Sequence, residues 1–188
     1  MNHLPLLQHF HPIGEAEYAL VSERLQPRSY KKGSHIVTPG QTQKELLFVK
    51  TGIQMSYAQT DHKDHVIAFT YAPGICAIPE SFSFQKPSPH YLKCLSDSEF
   101  DALSYTALQQ ILDQSPALER LFRRMAETIL VGVINRHVEL HALGMEERYK
   151  IFCRRSPHLL QLVPHKYIAS YLGIDSTNFS KLFNTVTF

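Results

Sequence analysis

The sequence predicts an α+β fold: a double-stranded β-helix of the jelly-roll type (a β-roll), then a long helix, then an all-α domain ending in a helix-turn-helix. Three observations predict it. Short apolar runs separated by glycine and proline turns fill the first half of the chain, one unbroken helical pattern follows Ser115-Pro116, and residues 165–184 have the spacing of two short helices joined at Gly173. The expected domains are residues 1–115, 116–143 and 144–188.

The composition bounds the class of protein. The chain has 188 residues, of which 44% are hydrophobic and 19% charged, as in an ordinary globular protein. It contains no apolar run near the roughly 20 residues that span a bilayer, and no signal-peptide pattern, so we expect a cytoplasmic protein that does not enter membranes. The cysteines are odd in number and widely spaced, which predicts reduced core residues without disulfides: Cys76, Cys94 and Cys153.

The predicted β-roll follows a short helical entry over residues 3–25. Its strands are short and apolar or alternating, and turn signals such as Pro39-Gly40 and Thr51-Gly52 separate them. Such a roll has a hollow interior, and one end of it commonly takes a small ligand. The predicted strands include residues 35–37, 46–49, 54–58, 65–71, 91–95 and 100–103.

The long helix begins with Ser115 as N-cap and Pro116 at the first helical position. Apolar residues recur at intervals of three and four, and they cover a wider face than packing on one sheet requires. This pattern favours a homodimer in which residues 116–143 of two copies pack together. The alternative is a helix buried within a monomer. Gly144 ends the pattern, and we predict that it is the hinge before the last domain.

The C-terminal motif has a small residue, Ala169, four positions before Gly173, and Gly173 suits a turn that needs a positive φ. Asp175 is placed to cap the second helix. In a helix-turn-helix the second helix enters the DNA major groove. A structural corner with no DNA contact is the alternative interpretation. The predicted buried residues are Ile168, Ala169, Leu172, Ile174, Phe179 and Leu182.

The charge distribution agrees weakly with DNA binding. From Gly144 to the end the net charge is +3, whereas the whole chain carries +2. A basic C-terminal domain on a nearly neutral N-terminal one is typical of a DNA-binding module attached to a second domain.

The order of these parts resembles the Crp/Fnr family of bacterial transcription regulators. The resemblance runs nearly end to end, and its motifs are Tyr30-Lys-Lys-Gly33, residues 46–52, Pro73-Gly74, Glu146-Glu-Arg-Tyr149 and Leu172-Gly173-Ile174. It implies a homodimer that binds double-stranded DNA, a β-roll that senses a small effector, and RNA polymerase as a further partner.

This sequence departs from the family members that bind cyclic AMP, so cyclic AMP is not the expected effector. Family members that bind cyclic AMP have Gly-Glu-Leu after the Pro-Gly pair and Arg-Ser or Arg-Thr about ten residues later; here the stretches are Cys76-Ala-Ile-Pro-Glu80 and Pro87-Ser-Pro-His90, without arginine. An apolar or weakly polar effector is expected instead, unless the aromatic residues simply fill the roll. The predicted effector pocket has the apolar walls Tyr71, Phe82, Phe84, Val133 and Ile134 and the rim Glu80, Ser81, Ser88 and His90.

The predicted recognition helix also departs from the family, whose known readers use arginine and glutamate in its first turn. Asn178 can pair with adenine, and serine or threonine can contact any base. The chain stops four residues after Asn184, so no β-hairpin wing is expected, and we predict weak intrinsic affinity that depends on dimerisation. The candidate base contacts are Ser176, Thr177, Asn178 and Ser180, and the candidate phosphate contacts are Lys166, Tyr167 and Lys181.

Two other functions compete with DNA recognition. One is a sensor or protein-interaction module whose helix-turn-helix no longer reads specific DNA. The other is a metal-dependent jelly-roll enzyme, which would use His62, His65, Glu80 and His90. The spacing of these four residues lacks the His-x-His with a later Glu and His that would converge on one metal, so we expect no metal there and no enzyme.

Overall fold

The computed structural model describes residues 1–61 and 63–186, and the α+β fold that the sequence predicts is confirmed. Within these residues there are nine helices and eight strands. The helices are α1 Leu4–Gln8, α2 Glu15–Ser22, α3 Pro79–Phe84, α4 Tyr105–Gln114, α5 Pro116–Ala142, α6 Met145–Arg155, α7 Leu159–Leu162, α8 His165–Leu172 and α9 Ser176–Thr185. The strands are β1 Gln26–Tyr30, β2 His35–Val37, β3 Glu45–Thr51, β4 Ile53–Thr60, β5 Lys63–Tyr71, β6 Gly74–Cys76, β7 Tyr91–Cys94 and β8 Ser98–Ser104.

The strands form two four-stranded sheets, in the orders β1-β8-β3-β6 and β2-β7-β4-β5. Neighbouring strands of the first sheet pair antiparallel, and Leu47 of β3 lies opposite Ala102 of β8 and Cys76 of β6. β3 is buried on both faces, since alternate residues of a strand point to opposite sides. Leu47 and Val49 join one apolar cluster, while Leu46 and Phe48 join a second cluster that includes residues of α1, α2, α4 and α5.

The chain divides into two compact units. Unit 1 consists of Met1–Ser56 and Phe69–Ile129, and unit 2 of Tyr57–Ala68 and Leu130–Phe188. The outer parts of β4 and β5 therefore belong to the same unit as the C-terminal helices.

The helix α5 starts as predicted. Ser115 Oγ accepts a hydrogen bond from Leu118 N at 3.3 Å, and Pro116 is the first helical residue, where its missing N–H leaves no bond unmade. One face of its first half is buried, with Leu118 and Leu121 inaccessible to solvent. Its second half is exposed although it is apolar. The exposed apolar side chains there are Ile129, Leu130, Val131, Val133, Ile134, Val138 and Leu140.

The three cysteines are free and buried, as predicted. Burial raises the pKa of the Cys76 thiol to about 12, so this thiol stays protonated at neutral pH and acts as an apolar core residue. In the part of the chain that the structure describes, no helix is long and apolar enough to cross a membrane.

Candidate nucleic-acid interface and effector site

The helix-turn-helix corner in unit 2 has the geometry that its sequence predicts. Gly173 follows α8 with φ of 63° and ψ of 38°, the left-handed conformation that glycine tolerates best. A side chain at this position would also meet Leu140, since an added Cβ would lie 3.3 Å from Leu140 Cδ2. Both features favour glycine at the turn.

The corner is held by a small apolar core. The residues predicted to be buried are buried, except that Leu182 is only half-buried. Tyr149, which belongs to the Glu146-Glu-Arg-Tyr149 motif on α6, lies edge-on to Phe179 with ring centroids 5.7 Å apart. Tyr149 is 1% exposed and supplies the surface on which the second helix of the motif packs.

The first turn of α9 is fixed by its N-cap. Asp175 Oδ1 accepts a hydrogen bond from Asn178 N at 2.9 Å, and Asn178 Nδ2 donates to the other carboxylate oxygen. These contacts, first of all that from the Asn178 backbone, lower the pKa of Asp175. The cap is therefore as predicted, but the Asn178 amide that we expect to read adenine is bonded to the cap in this structure. It would have to leave Asp175 to pair with a base.

The remaining candidate DNA contacts are polar residues of α8 and α9. Ser176, Thr177, Ser180 and Lys181 are exposed, although the Ser180 hydroxyl donates to Ser176 O at 2.9 Å. The candidate phosphate contacts of α8 are adjacent: exposed Lys166 lies with its Nζ 4.9 Å from the ring centroid of half-buried Tyr167. We call these residues, together with Asn178, the α8–α9 polar surface.

Arg148 of α6 joins the C-terminal ends of two helices in unit 2, a role that no residue spacing indicates. Its guanidinium donates to Leu172 O at 2.9 Å and Gly173 O at 3.3 Å, at the end of α8, and to Leu143 O at 2.6 Å, just after α5. The last carbonyls of a helix lack partners within the helix and carry partial negative charge, so a cation is well placed there. Gly144 thus lies between two segments that Arg148 connects.

A second set of polar contacts ties the end of α5 to α6 and α8. Glu139 forms ion pairs with Arg136 at 3.1 Å and Arg155 at 3.4 Å. The Arg136 guanidinium lies over the Tyr171 ring, 4.1 Å from its centroid, and donates to Tyr171 O. Arg155 donates to the Tyr171 hydroxyl at 3.0 Å. Side chains of α5 and α6 therefore hold the first helix of the motif from one side.

The hairpin of β4 and β5 also contacts the motif. The Ser170 hydroxyl donates to Asp64 O at 2.7 Å and accepts from Val66 N at 3.0 Å, so one side chain of α8 satisfies two backbone groups of β5. No sequence signal pointed to this contact, because the residues are more than 100 positions apart.

The predicted effector residues occupy different environments. Ser81 and Ser88 are buried and bonded internally: Ser81 Oγ donates to Lys86 O and accepts from Gln43 N, and Ser88 Oγ bonds the backbone of His90. Phe82 belongs to the core of unit 1, whereas Phe84 is 68% exposed. Phe82 and Phe84 are two residues apart on α3, so their side chains point in directions that differ by about 200° around the helix axis. The helix therefore cannot direct both rings into the core.

The other members of the predicted pocket also differ in their exposure. Tyr71 and His90 are half-buried and Glu80 is exposed, while Val133 and Ile134 are on the exposed half of α5 in unit 2. An open cleft of about 590 Å³ in unit 1 has none of the nine among the residues that line it. Its lining includes Tyr30, Ile36, Gln41, Lys44, Glu45 and Ser104.

Two buried polar atoms have no hydrogen-bond partner among the described residues, Gln54 Oε1 and His90 Nδ1. Buried polar groups usually have a partner. Of the residues considered for a metal enzyme, His62 lies outside the described residues, and His65 Nε2 is 2.7 Å from Thr60 Oγ1. Within residues 1–61 and 63–186 no three histidine, cysteine, aspartate or glutamate side chains converge as metal ligands.

Comparison of the sequence with protein-family profiles and with curated proteins gives no match. Solved structures with the same fold are found. FixK2 from Bradyrhizobium japonicum matches with a TM-score of 0.73, 16% identity and coverage of 85% of this chain and 83% of that one. A CooA variant from Carboxydothermus hydrogenoformans matches with a TM-score of 0.70, 18% identity and coverage of 98% and 83%.

A regulator assigned to the Crp/Fnr family, from Eubacterium rectale, matches with a TM-score of 0.71, 17% identity and coverage of 98% of this chain and 87% of that one. The chain therefore has a Crp/Fnr-like fold, and the resemblance found in the sequence is confirmed at that level. At these identities the comparisons show the fold alone, and a fold by itself does not determine function.

Proposed function

We propose that the protein is a homodimeric, DNA-binding transcription regulator of the Crp/Fnr type. The observation that carries the proposal is the helix-turn-helix, whose capped second helix presents the α8–α9 polar surface to solvent. Serine, threonine and asparagine at the start of such a helix are suited to base edges in the major groove, and Lys166 and Lys181 to phosphates.

The exposed half of α5 supports the homodimer. Six large apolar side chains between residues 130 and 140 are between 38% and 60% exposed, which a single copy leaves in water. If this half of α5 packs against the same half of a second copy, these apolar side chains are removed from water, which is energetically favourable. These exposures support the dimer over the alternative, a helix covered entirely within the monomer.

The proposed effector is a small molecule other than cyclic AMP. No arginine is present between residues 71 and 90 to neutralise a cyclic phosphate, and Ser81 and Ser88 already have internal hydrogen-bond partners. An uncharged effector fits a stretch without arginine better than an anionic one does. The pocket residues and the promoter contact with RNA polymerase stay predictions.

The proposed mechanism is a shift between two arrangements of the C-terminal helices about Gly144. Arg148 and the Arg136–Glu139–Arg155 contacts stabilise the arrangement seen here. Effector binding changes the register of the two recognition helices by favouring or opposing these contacts.

DNA binding can be tested with two variants of α9. We expect Lys181→Ala to weaken binding to preferred and random duplexes alike, and to reduce the slope of log affinity against log salt by about one, because one phosphate contact is lost. Asn178→Ala should instead reduce the preference for the selected sequence by about 1–3 kcal/mol, the worth of one bidentate base contact. Fluorescence anisotropy over a salt series measures both.

Lys150→Ala is the matched control, since Lys150 is a lysine of unit 2 on α6 whose Nζ is 2.6 Å from Glu146. It should leave the salt slope unchanged. If both α9 variants bind as the wild type does, α9 is not the recognition helix.

The second candidate function is a sensor or protein-interaction module that no longer reads DNA. Two observations favour it: Lys181 is the single cation of α9, and the Asn178 amide is bonded to Asp175. Such a module would show weak, sequence-independent association that disappears near physiological salt.

A further inference from the structure

Two histidines stand one helical turn apart on the exposed half of α5. His137 and His141 are both exposed, and their ring centroids are 4.3 Å apart with an interplanar angle of 51°. Residues four apart on a helix lie on one face. The two imidazole rings therefore lie next to each other on the helix surface, and His141 is three residues before Gly144.

Two imidazoles in this arrangement are a two-point ligand for a divalent transition-metal ion, since zinc, cobalt, nickel and copper all accept imidazole nitrogen. The pair differs from the helical zinc motif of hydrolases, in which a catalytic glutamate follows the first histidine. Val138 occupies that position here, and Glu139 is paired with Arg136 and Arg155. The chemistry available is binding without catalysis.

A second copy of the chain can supply the two remaining ligands, because of where the pair lies on α5. Leu130, Ile134, His137 and His141 are spaced by four, three and four residues, the repeat of a two-helix seam. If two copies pair in parallel through this seam, each brings its two histidines to the same level. Four imidazoles then meet, which is the number that a closed tetrahedral zinc site requires.

We propose that His137 and His141 of two copies bind one divalent transition-metal ion across the seam of the dimer. This proposal rests on the homodimer of the proposed function, and it deepens it by assigning a class of ligand. The ion would fix the end of α5 next to Gly144, and so favour one arrangement of the C-terminal helices. A metal ion would in that case act as an effector of the regulator.

The test is a titration of the untagged full-length protein with Co²⁺, followed by visible absorption, with the mass of the protein measured by sedimentation in the presence and absence of the ion. We expect one Co²⁺ per two chains, with the strong absorption of a tetrahedral site. His137→Ala and His141→Ala should each abolish this absorption. His9→Ala, which removes an exposed histidine of unit 1, should leave it unchanged.

The outcomes separate the metal site from the dimer. A wild-type dimer that binds no Co²⁺, or binds it equally well in both variants, overturns the metal site and leaves the dimer standing. One weakly absorbing Co²⁺ per chain on a monomer overturns the shared site together with the seam. Circular dichroism of the variants confirms that they are folded, as expected for substitutions at an exposed helix surface.

Discussion

Replacing Gly52 with alanine should cost unit 1 about 3–4 kcal/mol of its free energy of unfolding, through a left-handed backbone and steric overlap together. Gly52 joins β3 to β4 with a φ of +88°. An added Cβ would lie 2.6 Å from Asp97 O and 2.8 Å from Ser98 Cα. Both atoms belong to the backbone before and within β8, so the sheet itself would have to move.

Gly40→Ala is the matched control, because Gly40 has nearly the same φ, +87°, but open space around an added Cβ. Gly40→Ala should lower the free energy of unfolding by only about 1–2 kcal/mol, the cost of a left-handed backbone at a residue with a Cβ. Denaturant unfolding of the two variants gives the comparison. Equal losses for Gly52→Ala and Gly40→Ala would contradict the close approach of β3 and β8 at this turn.

Replacing Arg148 with alanine should destabilise unit 2 by about 2–3 kcal/mol, because charge-assisted hydrogen bonds to partly buried carbonyls are lost. The carbonyls of Leu143 and Leu172 would then lack their partner at the ends of α5 and α8. Hydrogen exchange of the α8 amides measures the loss locally. We also expect weaker DNA binding, since the motif would be less well positioned.

Arg154→Ala provides the control, since Arg154 is an exposed arginine of the same helix. It should change exchange in α8 little, because exposed charges contribute about 0–1 kcal/mol. Arg148→Lys should recover only part of the stability, as one ammonium cannot reach the carbonyls of both helix ends. Unchanged exchange in Arg148→Ala would show that other contacts hold the corner.

The sequence was most informative where one residue decides a local conformation. Gly173 at a left-handed position, Asp175 as a cap and Ser115-Pro116 at the start of α5 were all predicted from residue chemistry and are observed. The six predicted strands are also observed, because their alternation and bounding turns are local signals.

The sequence was least informative where contacts join distant segments. Strand β1 contains Pro27 and Arg28 and has no apolar run, so pairing with β8 creates a strand that its own residues do not indicate. The roles of Arg148 and Ser170 depend on which backbone groups meet in unit 2, and no spacing encodes that. The exposure of Phe84 on α3 is likewise set by packing and not by a local sequence signal.

The most direct test of the account is selection of binding sequences from a random duplex library by the purified protein at near-physiological salt, with and without cell extract. We expect an enriched pseudo-palindrome with half-sites about one helical turn apart, because a two-fold dimer places its recognition helices in successive major grooves. Enrichment only with extract would indicate a required effector. No enrichment in either condition, from protein shown to be folded and dimeric, would contradict a DNA-reading regulator and favour the interaction module.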